Sequence, residues 1–188
     1  AVLHFDSPLL IVAGAGSGKT RVITHKIAYL VREKGLAPGQ ILAVTFTNKA
    51  ASEMRVRIEA LTGIQASLFH ISTFHALGLR ILRESGSALG FDAQWQVLDS
   101  DEQKRLLERL IRENFPHLSR DNDAIIRKIS LAKMGLHYPK HGEFLRQKGF
   151  SDEEISVFAH YHAAQQANKL WDYEDLISFA VILLRDHD

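Results

Sequence analysis

Residues 9–20 read LLIVAGAGSGKT, an apolar run that passes into glycines and ends in lysine and threonine. The five apolar residues 9–13 are typical of a parallel strand that is buried on both faces of a sheet. The residues after the glycines repeat apolar side chains with the period of a helix and stop at Gly35. We therefore expect a buried strand, a tight turn and a helix over residues 20–34, with apolar positions at Ile23, Ile27, Leu30 and Val31.

The turn matches the phosphate-loop pattern G-x-x-x-x-G-K-[ST], apart from an alanine in the first position. Glycines let the backbone bend so that successive N–H groups point at phosphate oxygens. Lys19 would place a positive charge beside the β- and γ-phosphates, and the Thr20 hydroxyl would ligate Mg²⁺. The sequence therefore predicts a site for a nucleoside triphosphate with Mg²⁺, in which Lys19 and Thr20 are the catalytic residues. The predicted nucleotide-binding residues are Ala13, Gly14, Ala15, Gly16, Ser17, Gly18, Lys19 and Thr20.

Two further apolar runs, ILAVTF at 41–46 and SLFHIST at 67–73, each precede a segment with helical periodicity. Strands that alternate with helices favour a parallel sheet joined by right-handed crossovers. The sequence therefore predicts an α/β fold with a parallel sheet for the first part of the chain. The apolar helix positions are Met54, Ile58 and Leu61 after the first run, and Phe74, Leu77 and Ile81 after the second.

Both runs end in a mixture of polar and aromatic residues. The carboxyl ends of parallel strands form the edge of a sheet where ligands bind. There an aromatic ring can stack on a base while hydroxyl, amide and ammonium groups reach phosphates. One alternative is that Phe46 and Phe74 belong to the core, and another is that Thr47 and Ser72 are helix N-caps. The candidate residues for single-stranded nucleic acid are Thr45, Phe46, Thr47, Asn48, Lys49, Thr73, Phe74 and His75.

The second half of the chain changes character. After Gly90 the strand signals give way to helical ones, apart from a short QVL at 96–98. Capping boxes, in which a serine and a glutamine or glutamate three residues later satisfy each other's backbone amides, mark two helix starts. The simplest interpretation is a helical insertion in an α/β parent. Helix starts are predicted at Ser100-x-x-Gln103, at Ser151-x-x-Glu154, near Asp121 and near Asp172.

The composition is that of a globular protein with an uneven charge distribution. The 188 residues contain no cysteine, which excludes disulfides and thiolate metal sites and suits a reducing compartment. No apolar run approaches the roughly 20 residues that span a bilayer, and no signal peptide is apparent. Residues 1–60 hold 8 basic and 4 acidic side chains, whereas residues 99–188 hold 13 and 16. We therefore expect a cytoplasmic protein whose first part favours an anionic partner.

Four stretches together resemble the Rep/UvrD/PcrA group of superfamily 1 DNA helicases. They are AGAGSGKTRV, ILAVTFTNKAASEMRVRI, ISTFHALGLRIL and WDYEDLI, in the order and spacing of that group. The resemblance implies an ATP- and Mg²⁺-dependent helicase that moves 3′ to 5′ on single-stranded DNA and unwinds a duplex with a single-stranded tail. It also implies that Arg21 lies beside the adenine and that Phe46 packs against a DNA base. Thr73 and His75 would contact the DNA backbone.

The resemblance implies a division of the chain as well. Residues 1–85 would be the first part of a RecA-like P-loop domain, residues 86–170 an inserted all-α subdomain, and residues 171–188 the helix that re-enters the first domain. The family's adenine-reading glutamine, its Walker B Asp-Glu pair and its second RecA-like domain with an arginine finger have no counterpart in these residues. We therefore expect a fragment that needs the remainder of the helicase as its partner. By itself it should bind Mg²⁺-ATP weakly, without DNA-stimulated hydrolysis.

Other functions stay open from the residues alone. A small P-loop kinase would explain the phosphate loop, but the chain lacks an arginine-rich lid and TFTNKAA would serve no purpose. A nucleotide- or DNA-binding module without turnover is the third possibility. Asp172, Glu174 and Asp175 could suggest a second metal site, although acidic residues at a helix N-terminus explain them equally well. His160 and His162 are two residues apart and point to different sides of a helix, so we expect no histidine metal site.

Overall fold

The computed structural model describes residues 1–14, 16–118 and 122–186. Two compact units divide the chain, Ala1–Leu77 and Gly78–Asp188, and each is described by itself. Two sequence predictions, the role of Ala15 in the phosphate loop and a helix start at Asp121, lie outside the described residues. No helix in the described ranges is long and apolar enough to cross a membrane.

The first unit alternates helices with two short parallel strands, where the sequence predicted three. The strands pair in parallel, with Leu42 opposite His70 and Thr45 opposite Thr73. The runs 41–46 and 67–73 therefore form neighbouring parallel strands, although each strand is shorter than its apolar run. In chain order the elements are α1 (Lys19–Arg32), β1 (Leu42–Thr45), α2 (Asn48–Thr62), β2 (His70–Thr73) and α3 (Phe74–Ser85), of which α3 runs on into the second unit.

The core of the first unit explains why these segments form helices and strands. Ile58 of α2 is fully buried, and Ile27 of α1 and Ile71 of β2 are nearly so. One correction concerns α1, where Thr24 rather than Ile23 is buried. Thr24 tolerates this position because its hydroxyl donates to the Arg21 carbonyl oxygen at 3.0 Å, so no buried donor is left unpaired.

Residues 9–13 do not form the predicted buried strand. Leu10 and Val12 are each 86% exposed. A strand is stable only where its amide and carbonyl groups pair with a neighbour. In the described part of the chain β1 and β2 pair with each other, and no ladder hydrogen bond reaches residues 9–13. The apolar run is therefore unpaired, and the prediction of a strand here is wrong.

The second unit is helical, with one small sheet. Strand β3 (Gln96–Val97) confirms the predicted QVL segment, and it pairs in parallel with a two-residue strand that the sequence did not indicate. A six-residue helix was also missed because it is too short to show a period. After β3 the elements are α4 (Ser100–Asn114), α5 (Asn122–Met134), α6 (Gly142–Gln147), α7 (Asp152–Asn168), β4 (Leu170–Trp171) and α8 (Tyr173–Asp186).

The two predicted capping boxes have different outcomes. Ser151 caps α7 as predicted, since its hydroxyl accepts from the Glu154 amide at 3.1 Å and the Glu154 carboxylate accepts from the Ser151 amide at 2.8 Å. The box before α4 is shifted by one residue, to Asp99 and Glu102. The Asp99 carboxylate accepts from the Glu102 amide at 2.8 Å, and the Glu102 carboxylate accepts from the Asp99 amide at 2.9 Å. The negative charges of these two carboxylates also interact favourably with the positive end of the helix dipole, whereas Ser100 and Gln103 are uncharged.

Close packing of α3 on α8 depends on Gly78. A Cβ atom built on Gly78 would lie 2.3 Å from the Leu176 carbonyl oxygen of α8. Because that neighbour is backbone, the helices would have to separate to admit a methyl group. Gly142, at the start of α6, has helical backbone angles and nothing within 4 Å of such an atom.

We expect Gly78→Ala to lower the free energy of unfolding by about 1–3 kcal/mol, the usual cost of overpacking a core. Gly142→Ala should be neutral or slightly stabilising because alanine restricts the unfolded chain. Urea denaturation of both variants measures the difference. Equal stability of the two variants would show that α3 and α8 can separate without cost.

Candidate nucleotide and nucleic-acid site

The glycine loop reaches α1 through two residues in left-handed backbone conformation. Gly16 has φ of 75° and Gly18 has φ of 85°, and Gly18 is the N-cap of α1. No atom lies within 4 Å of a Cβ placed on Gly16, so the backbone angle rather than crowding requires glycine there. Gly14 is also uncrowded, and its φ lies outside the left-handed region. Two of the three predicted glycines therefore make the turn.

Lys19 already binds oxygen atoms of the loop. Its ammonium donates to the carbonyl oxygens of Ala13 and Gly14, each at 2.6 Å. The Ser17 hydroxyl donates to the same Gly14 oxygen at 2.6 Å. No ion pair neutralises Lys19 within the described ranges, and its side chain is exposed. Its positive charge is therefore available to an anion that replaces one of these carbonyls.

The start of α1 adds backbone donors to the loop. The first bond of the helix joins the Val22 amide to the Gly18 carbonyl oxygen at 3.0 Å. The amides before Val22 have no partner inside the helix, as at any helix N-terminus, and they carry its positive partial charge. Thr20 is half-buried in this first turn, and Arg21 is exposed beside it. The first turn of α1 thus carries an ammonium, a hydroxyl and unpaired backbone amides, which are the groups that bind phosphate and Mg²⁺ in such loops.

The sheet brings the two predicted aromatic residues together. Thr45 and Thr73 are partners in the parallel register, so the residues that follow them leave the same edge of the sheet. Those residues are Phe46 and Phe74, whose ring centroids lie 5.5 Å apart at an interplanar angle of 48°. Phe46 is 87% exposed and Phe74 is 40% exposed. The alternative that Phe46 belongs to the core is therefore wrong, and the pair forms an exposed apolar platform.

The threonines at this edge cap the helices that follow. The Thr47 hydroxyl accepts from the Ala50 amide at 3.1 Å and begins α2. Thr73, not Ser72, accepts from the Ala76 amide at 3.2 Å at the start of α3, and its side chain is buried. Capping explains both threonines without a ligand, although it also points two helix N-termini towards the aromatic platform.

The other candidate residues lie around the platform. Asn48 and Lys49 occupy the first turn of α2 with exposed side chains. Thr45 and His75 are half-buried. The structure therefore brings one ammonium, one amide and two aromatic rings to the same edge, where rings could stack on bases and the polar groups could reach phosphates.

The acidic residues of DYEDL lie at a helix N-terminus, as expected, but two of them also bind a lysine in the core. Asp172 and Asp175 are buried in the second unit, and each carboxylate accepts the other's backbone amide, at 3.0 and 3.1 Å, to cap α8. Both carboxylates also bind the ammonium of Lys133, which is 0% exposed. The helix N-terminus therefore explains only part of this acidic pair, and Lys133 was missed.

The sequence did contain a signal for Lys133. It lies seven residues after Ile126 and four after Ile129, on the side of α5 that the apolar period assigns to the core. No group of three or more histidine, aspartate or glutamate residues in the described ranges could hold a metal ion.

A glycine loop that ends in Lys-Thr at a helix N-terminus, in a unit with parallel strands, is typical of a P-loop nucleotide-binding domain. Comparison with known families makes this more specific. Residues 1–188 match the family model described as UvrD/REP helicase N-terminal domain, and the chain therefore belongs to that family.

Curated relatives agree with the family assignment. The chain is 42% identical over 186 residues to the ATP-dependent DNA helicase PcrA of Bacillus subtilis, covering 97% of this chain. It is 40% identical over 187 residues to PcrA of Leuconostoc citreum and 38% identical over 184 residues to PcrA of Staphylococcus aureus, covering 98% and 97% of this chain. In each case the chain spans 25% of the relative's length.

Proposed function

We propose that this chain is the ATP- and single-stranded-DNA-binding N-terminal portion of an ATP-dependent DNA helicase. The observation that carries the proposal is the exposed platform of Phe46 and Phe74 on the P-loop unit. A P-loop alone serves many enzyme classes, because it recognises only the phosphates. An aromatic platform at a ligand-binding sheet edge adds recognition of bases, and a small P-loop kinase would have no use for it.

Nucleotide binding rests on the glycine loop. Lys19 exchanges a loop carbonyl for phosphate oxygens, and the amides at the start of α1 donate to the same group. Thr20 is the residue that would ligate Mg²⁺, which supplies positive charge at the β- and γ-phosphates when bound. Arg21, exposed on the first turn of α1, is the proposed contact to adenine. Lys19 and Thr20 are the proposed catalytic residues.

DNA binding rests on the aromatic platform and the charges beside it. A base can stack on Phe46 only where its face is free, and this favours a single strand over a closed duplex. Lys49 and the amides at the starts of α2 and α3 would contact phosphates, since both helix N-termini carry positive partial charge. Thr73 would act through its cap rather than through its hydroxyl. A duplex with a single-stranded tail is the proposed substrate, and 3′ to 5′ the proposed direction.

Hydrolysis and unwinding are proposed for the longer helicase, with the second RecA-like domain as partner. Residues 1–85 are proposed as the first part of a RecA-like domain, residues 86–170 as its inserted subdomain and residues 171–188 as the re-entering helix. For the 188 residues alone we propose nucleotide binding without DNA-stimulated turnover. A cytoplasmic location would suit DNA as the substrate. Steady-state ATPase with and without oligo-dT distinguishes a non-hydrolysing module from an active motor, and phosphate transfer to a nucleoside would reveal a kinase.

Phe46→Ala is expected to weaken binding of single-stranded DNA by about 1–3 kcal/mol, the usual loss of one base–aromatic stack. Its thermal stability should change little because the ring is exposed. Fluorescence anisotropy with labelled oligo-dT measures the affinity, and melting measures the stability.

Phe5→Ala is the matched control, since Phe5 is a half-exposed phenylalanine of the same unit that lies near Lys34 instead of Phe74. It should leave the DNA affinity unchanged. Equal affinities of the Phe46→Ala variant and the unmodified chain would remove the platform from the proposed DNA site.

A further inference from the structure

The core of the second unit contains two carboxylates that share one ammonium. The Lys133 ammonium lies 2.6 Å from Oδ2 of Asp172 and 2.8 Å from Oδ2 of Asp175. Its third contact is the side-chain oxygen of Gln165 at 2.8 Å. All four side chains are buried. With both aspartates ionised, the cluster carries a net charge of −1 with no access to water.

No other cation in the described residues compensates this charge. The groups that face the pair are the hydroxyl of Tyr138, in the segment after α5, and the hydroxyl of Tyr161 and the ring of His162, both on α7. Burial and the two carboxylates raise the pKa of both tyrosine hydroxyls, so these stay neutral donors. Burial lowers the pKa of His162 to about 4, so its ring is neutral at pH 7. The titratable and charged groups around the pair are Lys133 of α5, Tyr138 and the exposed Lys140 after it, and Tyr161 and His162 of α7.

A proton is the simplest compensation for an excess buried negative charge, because an uncompensated ion in the core costs several kcal/mol. Lys133 keeps the pKa of Asp172 below its usual value. Burial and the charge of Asp172 raise the pKa of Asp175 to about 7. Between the two aspartates, Asp175 is therefore the one that holds the proton near neutral pH.

The hydrogen bonds offer this proton a place. Oδ2 of Asp175 accepts from Lys133, from Gln165 and from a backbone amide. Among the described residues, the donor to Oδ1 is the Tyr138 hydroxyl at 3.1 Å. A proton on Oδ1 can reverse this bond, because Tyr138 also hydrogen-bonds Ser178 and can turn its own hydrogen towards it. Ser178 in turn donates to the Lys133 carbonyl oxygen at 2.7 Å. Protonation thus needs no rearrangement of heavy atoms.

We propose that the Asp172–Asp175 pair is a proton-binding latch that holds α8 against α5 and α7, and that it loosens as the pH rises through neutrality. Loss of the proton leaves an extra negative charge where all three helices meet. The residues that form the latch all belong to the second unit. The inference therefore stands independently of the proposed helicase function.

The sign follows from linkage. A carboxyl whose pKa is higher in the folded chain than in the unfolded chain binds its proton more tightly when folded. Its contribution to stability is complete below the unfolded pKa and is lost as the pH rises through about 7, the folded value. Asp172 has the opposite shift, and its contribution is lost only in acid, below the range of interest.

The test is the melting temperature of the 188-residue chain between pH 6 and pH 8. For the unmodified chain we expect a fall of about 3–5 °C across this range. Asp175→Asn, which keeps the shape of the protonated acid, should show no such fall. Asp152→Asn, an exposed carboxylate paired with Arg146 at 2.7 Å, should melt with the same pH dependence as the unmodified chain.

A direct titration covers the case in which Asp175→Asn does not fold. Carboxyl-carbon NMR of the unmodified chain should show one buried aspartate that titrates near pH 7. Titration of both buried aspartates below about pH 5 would overturn the proposal. A melting temperature with the same pH dependence in the unmodified chain and the Asp175→Asn variant would also overturn it.

Discussion

Replacing Lys19 with alanine is expected to reduce ATP hydrolysis by a helicase that carries this chain to background, a loss of at least about 10²–10³-fold. The Lys19 ammonium is proposed to neutralise the phosphates, and a methyl group could not stabilise the charge that develops there. In the 188-residue chain the same substitution should remove Mg²⁺-ATP binding in calorimetry. The fold should survive, because Lys19 is exposed and bonds only to its own loop.

Lys34→Ala provides the control for this prediction. Lys34 is an exposed lysine just past the end of α1, close to the rings of Phe5 and Tyr29 and away from the loop. Its replacement should leave nucleotide binding and hydrolysis unchanged. A folded Lys19→Ala variant with near-normal turnover would show that another group neutralises the phosphates.

The helices could be predicted because burial imposes a period on the sequence. In α5 the isoleucines at 125 and 129 are nearly fully buried, and in α7 Phe158 is completely so. Their spacing matches the helical repeat, because the residues that pack in the core must lie on one face of the helix. The caps are predicted less exactly, since Asp99 and Ser100 are both good N-caps and only the geometry of the turn selects between them.

The pairing of β-strands could not be predicted from the local pattern of apolar residues. Residues 9–13 are as apolar as the run at 41–46, yet only the latter is a strand, because a ladder depends on a neighbour elsewhere in the chain. The same holds for β4, whose two residues pair with β3 across more than seventy positions of sequence. Strand formation is a property of two segments, whereas periodicity reports on one.

Some features of the candidate site could be predicted from the sequence and others could not. The sequence predicts that Phe46 and Phe74 lie at the same edge of the sheet, because each follows a parallel strand. The sequence does not predict that Thr73 is a buried helix cap, since it shows the hydroxyl but not the amide that donates to it. The loop residues from Gly14 to Thr20 follow a pattern set by phosphate geometry, so their identities and order could be read directly. The helical period puts Lys133 on the core side of α5, but it does not show the two carboxylate partners, which lie about forty positions away.

Lys133→Met is expected to lower the free energy of unfolding at pH 7 by about 3–5 kcal/mol, the usual cost of leaving a buried charge without its partner. Methionine fills most of the space of the lysine side chain, so the loss is electrostatic rather than a cavity. Asp172 and Asp175 would then face each other without a cation, and both would need protons to remain inside. The loss should therefore shrink as the pH falls towards 4, where protonated carboxyls are neutral.

Lys128→Met is the matched control on the same helix. Lys128 binds Glu154 at 2.6 Å, but that pair is partly exposed and water can solvate the carboxylate that remains. Its removal should cost only about 0–1 kcal/mol, with little change between pH 4 and pH 7. Urea denaturation of the two variants at both pH values measures four free energies. If Lys133→Met costs no more than Lys128→Met at pH 7, then water reaches the buried pair and the second unit does not depend on its central ammonium.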